Sequence, residues 1–427
     1  MERASQNNGE GRYSVGRRRR PSGRSRRRER NYPNSNENNP GTSGTSPCRI
    51  LDLPDDVIYI IFQYLGPDSL CRLSQVCQRF RQLSSEDSVW LPFEKERSLL
   101  RSSNSRCILS LKERYRVSLN WESGRRHEAW LLRHNFRLLP WIQKDQNNTL
   151  WVSRGSRILK FDVKDNGRLR ESAGGPLYGL NSDVTRFVVN NGIVVSGCRG
   201  GGVSTWEASS GVQLMHCYNA HSSETQCVDV ADDVIVSGSK DNTMKVLSMF
   251  PEDKQRVRQS FNIGDRIWSL SVSPNKSTVA VGTACYNNPA ICLLDIHSGQ
   301  LLGHLGDEHK RGSGVLDLKF ESPNILLTCG HDTYLRMWDM RTHTCVSSWE
   351  DPFDSTLYCL QTDGQCSMLT GTARHGLVRL WDKRQQNHVQ IYYSGGQHSP
   401  VYSLAGSSQH LYVALDMGLY FVDFSIH

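Results

Sequence analysis

No apolar run in this sequence approaches the roughly 18 residues a membrane-spanning helix needs. The opening stretch, MERASQNNGE, has no apolar core of the kind that drives secretion. Thirteen cysteines are present, an odd number, and none forms a Cys-x-x-Cys pair. Scattered thiols without an export signal point to a reduced, intracellular protein, cytoplasmic and/or nuclear, whose cysteines mostly fill small core spaces. The Asn147-Asn148-Thr149 sequon then carries no meaning. His-Glu-x-x-His, Gly-x-Ser-x-Gly and metal-ligand spacings are also absent, so no catalytic residue, metal or cofactor is expected. Net charge is scarce too, once one segment is set aside. Of the formal +8, residues 1–47 supply +7 through 11 Arg against 4 Glu. The remainder is nearly neutral, which argues against nucleic-acid affinity of the whole body.

What is present is globular: 37% hydrophobic residues, with 10 Trp, 15 Tyr and 12 Phe, and 35 Gly that suggest many turns. The length suits two or three domains. Residues 1–47 mix Arg, Ser, Asn, Gly and Pro with almost no large apolar side chains, and are expected to be a disordered tail. Its arginines, including Arg17–Arg20 and Arg26–Arg28, suit nuclear import, a polyanion contact, or plain solvation.

Residues 48–97 differ abruptly. Pro54 suits a first helical position, and Asp55 and Asp56 favour the positive helix end. Val57, Ile58, Ile61, Phe62 and Leu65 recur at helical spacing, and Gly66 is read as a C-terminal cap. A second start at Pro67-Asp68-Ser69 leads into Leu70, Leu73, Val76, Cys77, Phe80 and Leu83, and Trp90 closes the segment. The Leu53-Pro54 pair, Ile61-Phe62-x-Tyr64-Leu65, Leu73-Ser74-x-Val76-Cys77, Arg79-Phe80 and Trp90 resemble the F-box motif. That resemblance implies docking on the Skp adaptor of cullin-based ubiquitin ligases. It also implies adaptor-facing roles for Leu53, Pro54, Ile61, Leu65, Leu70, Val76, Cys77 and Trp90. A segment of about 45 residues has too small a core to stand comfortably alone, which favours burial against another protein. Residues 98–127 read as a basic helical linker, with Leu111, Tyr115 and Leu119 at four-residue spacing.

From residue 128 a repeat takes over. Strands ending in an aromatic or apolar residue, usually followed by an acid, occur at Phe161-Asp162, Trp206-Glu207, Leu247-Ser248, Leu294-Asp295, Trp338-Asp339, Trp381-Asp382 and Val422-Asp423. Their spacing is 41 to 47 residues. Upstream strands end in small pairs such as Ser196-Gly197, Ser237-Gly238 and Gly371-Thr372. This resembles the WD-repeat pattern and implies a mainly β fold, a seven-bladed β-propeller over 128–427. The seventh repeat has no outer strand after Asp423, so residues 128–134 are the expected donor that closes the ring. His221, Ser237 and Asp241, and Asp332 with Trp338, are expected to serve inter-strand hydrogen bonding rather than chemistry. Cys198-Arg-Gly-Gly-Gly202 is read as a β-turn, because it lacks the Lys-Ser/Thr of a phosphate loop and opens no helix.

In WD propellers the loops joining second and third strands form the face commonly used for ligands. Here such loops and the nearby strand entries carry Arg154, Arg199, Lys240, Arg266, Arg311 and Arg374, with Tyr358 and Tyr402 beside them. The expectation is a cationic rim that takes an acidic or phosphorylated protein segment. Together the pieces resemble the F-box/WD-repeat family over residues 50–427. That implies a non-catalytic substrate receptor of a Skp-cullin-F-box ligase, with a protein substrate and no membrane or nucleic-acid partner. Two alternatives stay open: a non-degradative scaffold, and a nuclear polyanion-binding protein led by the arginine tail.

Overall fold

The computed structural model describes residues 49–97, 109–134, 138–172, 175–250, 256–395 and 398–426. The expected disordered tail, and the first part of the expected linker at 98–108, lie outside the described residues. The chain divides into two compact units, Met1–Pro54 and Asp55–His427. The described α-helices and the ring therefore share one unit.

In the first unit, Ile50–Asp52 form a single helical turn. The Asp52 carboxylate closes it by accepting the Arg49 backbone N–H at 3.1 Å.

The second unit opens with four short helices: α1 (Asp55–Gln63), α2 (Pro67–Leu73), α3 (Gln78–Leu83) and α4 (Asp87–Arg97). Ile58 and Phe62 of α1 face inward, and Phe62 meets Phe80 edge-on at 5.7 Å. Leu70, Leu83, Val89 and Trp90 are buried as well, and the Trp90 indole donates to the Ser84 carbonyl at 2.7 Å. The Cys77 thiol caps α3 by accepting the Phe80 N–H. Gly66 is not the left-handed cap expected of it. It is extended (φ −74°) and precedes α2, whose first residue is Pro67.

Helix α5 (Leu111–Ser123) starts on a Ser110 cap and stops at Gly124, which takes the left-handed conformation (φ 72°). Its buried residues are Val117, Ser118, Asn120 and Trp121, while Leu119 is exposed. That corrects the face expected from Leu111, Tyr115 and Leu119. The reason is tertiary: Trp121 stacks on Phe424 at 3.7 Å and donates its indole N–H to the Ser408 carbonyl at 2.7 Å. Asn120 donates to the carbonyls of Phe424 and Ile426. One turn earlier, Tyr115 lies against Trp90 and Phe93 of α4, at 5.5 and 6.1 Å. One helix thus packs on both the helical segment and the ring.

The ring comprises seven four-stranded antiparallel blades. Their inner strands, in order, are Ile142–Lys144, Val184–Asn190, Thr225–Ala231, Ile267–Val272, Val315–Ser322, Leu357–Thr362 and Val401–Gly406. Strand His127–Arg133 pairs antiparallel with Gly418–Asp423 and supplies the outer strand of blade 7. That junction needs glycine at 418. Its φ is +146°, and a Cβ there would sit 2.0 Å from the Leu132 carbonyl oxygen. Buried apolar side chains gather between successive blades, as where Val236 and Val246 of blade 3 meet Val281 and Cys292 of blade 4. Ala129, Leu131 and Leu132 of the closing strand join blade 7 to Leu150 and Phe161 of blade 1. Blade-to-blade packing is therefore the core of the ring, and closure completes its last interface.

Candidate functional site

Helix α1 is apolar on both faces. Ile58 and Phe62 fill the small core, which leaves Val57 (40% exposed), Ile60 (56%) and Tyr64 (85%) facing solvent at helical spacing. Val76, before α3, is 65% exposed, and Ile61, Leu65 and Cys77 are half-buried. Two expected adaptor contacts are corrected. Leu70 and Trp90 are fully buried inside the helical segment, because a core this small takes its largest side chains for itself. Val57, from the same helical run, faces solvent. In the first unit Leu53 is half-buried and Pro54 exposed. Sequence reasoning missed Ile60 as a surface residue. The unbroken run Val57-Ile58-Tyr59-Ile60-Ile61-Phe62 was its signal, since one core cannot cover a helix apolar all round.

On the ring, the strand-to-strand polar groups are consumed by one another. His221 hydrogen-bonds with Ser237 Oγ at 2.8 Å through Nε2, and with Thr243 Oγ1 (2.9 Å) and Asp241 (3.2 Å) through Nδ1. Burial pushes the His221 imidazole down to about 4, despite the opposing charge of Asp241. Burial alone would raise the Asp241 carboxyl. The Thr243 hydroxyl and N–H, His221 and the Ser222 N–H outweigh it and hold the group at about 2. In blade 5 the Trp338 indole donates to Thr328 Oγ1 at 2.9 Å. The sequence reading pairs Asp332 with Trp338; instead Asp332 lies 3.2 Å from His309, whose ring lies over Trp338. Blade 6 has Arg374-His375 where blade 3 has its turn aspartate, and solves the same problem with a fully buried Arg379–Asp351 ion pair. Asp351 also accepts the N–H groups of Phe353 and Ser355. Groups so enclosed have no access to a reactant.

The upper face comprises the loops between second and third strands together with the entries to the inner strands. Helix α5 touches Ser408 and Phe424 to Ile426, which belong to loops of the opposite face. Among the expected rim residues, Arg154, Arg266, Arg311 and Arg374 are exposed and make no ion pair among the described residues. Arg199 lies 4.0 Å from Asp183. Lys240 is not the free charge expected of it. It is paired with Glu224 at 2.6 Å and lies over the Trp268 ring at 5.5 Å. Tyr358 and Tyr402 are half-buried neighbours, 6.2 Å apart across blades 6 and 7.

Deeper in the channel stands a feature sequence reasoning missed. Arg186 of blade 2 crosses to Asp317 of blade 5 at 3.1 Å and stacks on Trp141 at 4.0 Å. Asp317 is held in turn by the N–H groups of Leu318 (3.1 Å) and Leu360 (2.9 Å). Below this bridge lies a cavity of about 270 Å³, lined by the inner strands of all seven blades. It contains Asp229, which burial pushes up to about 6, and Lys319, which burial pushes down. Nothing in the sequence signals the bridge, because its partners are 131 residues apart. Among the described residues, no three His, Cys, Asp or Glu side chains are grouped to hold a metal, and no helix is long and apolar enough to cross a membrane.

The F-box-like family model matches residues 50–91, and the model of the WD domain, G-beta repeat, matches residues 299–339. The chain is 38% identical over 384 residues to F-box/WD repeat-containing protein 4 of Mus musculus, a match spanning 87% of this chain and 92% of the mouse protein. The Homo sapiens protein of the same name matches equally: 38% over 384 residues, with the same coverage. A more distant relative is Nuclear distribution protein PAC1 of Candida glabrata, 21% identical over 272 residues, spanning 52% of this chain and 55% of that protein.

Proposed function

The chain belongs to the F-box/WD-repeat family, and on that premise we propose that it is the substrate-recognition subunit of a Skp-cullin-F-box ubiquitin ligase. One observation carries the reading: the helical segment closes a core of its own and still presents Val57, Ile60, Tyr64 and Val76 to solvent. Apolar surface of that kind marks a site that another protein covers. Each such side chain contributes on the order of 1.5–3 kcal/mol when fully buried.

The adaptor holds the helical end, and the upper face of the ring holds a protein substrate. Exposed Arg154, Arg266, Arg311 and Arg374 suit an acidic or phosphorylated segment, because a guanidinium fork binds such groups in two parallel hydrogen bonds. Helix α5, packed on both α4 and the ring, keeps the two ends in a constant relation. The chemistry belongs to a separate ubiquitin-conjugating enzyme. This chain raises the effective concentration of a substrate lysine beside that enzyme's thioester and is not itself a transferase.

The test is co-purification of the full chain with the Skp adaptor and cullin. Val57→Asp with Ile60→Asp should abolish capture of both while the thermal unfolding midpoint stays near that of the parent, since neither side chain is in the core. Undiminished capture would overturn the reading. Leu53→Ala with Pro54→Ala tests the neighbouring motif residues in the same assay. Substrates of a ligase should accumulate with either variant, whereas partners of a non-degradative scaffold keep their levels.

A further inference from the structure

Inner strands run from the upper face downward, so residues at the same place in each strand form layers around the channel. Arg186 and Asp317, third in their strands, meet in the bridge that crosses the channel and roofs what lies below. Two residues further down is a second layer: Val188, Asp229, Ser271, Lys319, Gln361 and Ala405, from blades 2 to 7 in turn. All six line the cavity of about 270 Å³. The polar members are consecutive. Asp229, Ser271, Lys319 and Gln361 cover blades 3 to 6, while Val188 and Ala405 are apolar on the other side.

Two of these groups carry charge without being used up. Each Asp229 oxygen accepts one backbone N–H, that of Val230 at 2.8 Å and that of Val272 in the next blade at 2.7 Å. The carboxylate is thus fixed in place, and each oxygen keeps a lone pair. Lys319 gives one N–H to Gln361 Oε1 at 3.2 Å and has two more to give. Asp229 and Lys319 act on each other through space, but no ion pair joins them among the described residues. Lys144, at the lower end of the inner strand of blade 1, lines the same cavity. Glu321, the next acid along blade 5, is taken by Lys383 and Thr362. Below the bridge the cavity therefore has two ammonium groups against one carboxylate. That excess favours an anion, in surroundings whose low polarity strengthens each charge interaction. The volume is many times what a single water needs.

We propose that the lower channel is a binding site for a small dicarboxylate that carries a hydroxyl or amino group beside one of its carboxylates. One carboxylate lies on Lys319 and the other toward Lys144, and the hydroxyl or ammonium group donates to Asp229. The solute enters from the lower face, because the Arg186–Asp317 bridge separates this cavity from the upper face. The inference stands apart from the substrate-receptor reading and needs neither the adaptor nor a protein substrate.

The purified full chain is titrated by isothermal calorimetry with malate, aspartate and succinate. All three have two carboxylates, and succinate lacks the donor. Malate or aspartate should bind about tenfold or more tightly than succinate, as expected for one hydrogen bond to a charged group. The tighter of the two identifies the donor as hydroxyl or ammonium. Lys319→Met, similar in length but without the charge, should abolish binding of all three. Asp229→Asn should bring malate and aspartate down to the level of succinate. Saturating malate should raise the thermal midpoint of the parent and leave that of Lys319→Met unchanged. Circular dichroism checks that both variants fold; where one does not, the three solutes compared on the parent decide. Equal affinity for malate, aspartate and succinate overturns the contact with Asp229 and with it the ligand class. Binding that survives Lys319→Met undiminished places the solute outside the channel and overturns the site. No heat and no shift of the midpoint with any of the three overturns it as well.

Discussion

At the scale of single residues, the buried histidines set how the ring responds to acid. His221 and His309 are both depressed to about 4 by burial; Arg336 adds to the effect at His309. An unfolded chain takes up those protons near 6.5, while the folded ring refuses them until about 4. The stabilisation from each is therefore complete above pH 6.5 and is lost as pH falls from there toward 4. Between pH 7.5 and 5 this amounts to about 2 kcal/mol per histidine. Asp229 works against them. Its carboxyl is raised to about 6, so the folded state gains a proton first and is favoured as pH falls through that value. The two histidines outweigh the one aspartate, and the urea midpoint should be lower at pH 5 than at pH 7.5. In His221→Gln the difference between the two pH values should shrink. A pH-independent parent, or an undiminished difference in the variant, contradicts this account.

Residue identity was legible in the sequence where the partner is local. The His221–Ser237–Asp241 cluster spans about twenty residues within one repeat, and the structure assembles it as the repeat implies. Leu70 and Trp90 were not legible in the same way. A large apolar residue in a small helical segment reads alike whether it fills that segment's own core or a partner's pocket, and only the packing decides between them.

At the scale of elements, α5 shows the same limit. Its helical character follows from a serine cap, a closing glycine and a sequence free of proline. Its buried face does not follow, because Leu111, Tyr115 and Leu119 form as good a stripe as Val117 and Trp121. The ring selects the second by offering Phe424, Tyr392 and the Ser408 carbonyl. Trp121→Ala should therefore cost about 3–5 kcal/mol, the usual penalty for emptying a large aromatic site. Urea unfolding followed by the remaining tryptophans measures it. Helix α5 should also lose its anchorage, read as earlier tryptic cleavage within residues 111–126 than in the parent. A variant as stable and as resistant as the parent would remove α5 from the ring's core.

At the scale of the whole molecule, closure is the deciding event. Strand His127–Arg133 meets Gly418–Asp423 across nearly the whole ring sequence, and it supplies apolar side chains to the interface between blades 7 and 1. Without it, blade 7 has an open edge and the last interface loses Ala129, Leu131 and Leu132. A chain beginning at residue 138 should aggregate or unfold at lower temperature. Adding residues 127–134 back after residue 426, as a permuted ring with a short Gly-Ser connection, should restore most of the melting temperature. Failure of the permuted chain, with the truncated chain intact, would show that closure contributes little.

The blade count, the mainly β class and the helical character of residues 55–97 were determined by the sequence alone. Each depends on local signals: a period of 41 to 47 residues, a cap, or an alternation repeated within one strand. Tertiary structure decided which face of α1 stays exposed, that Lys240 is paired, and that Arg186 bridges the channel to Asp317. Those outcomes depend on groups brought together from distant repeats by ring closure. A one-dimensional pattern records the spacing of side chains along the chain, not which distant groups stand opposite one another once the ring is shut.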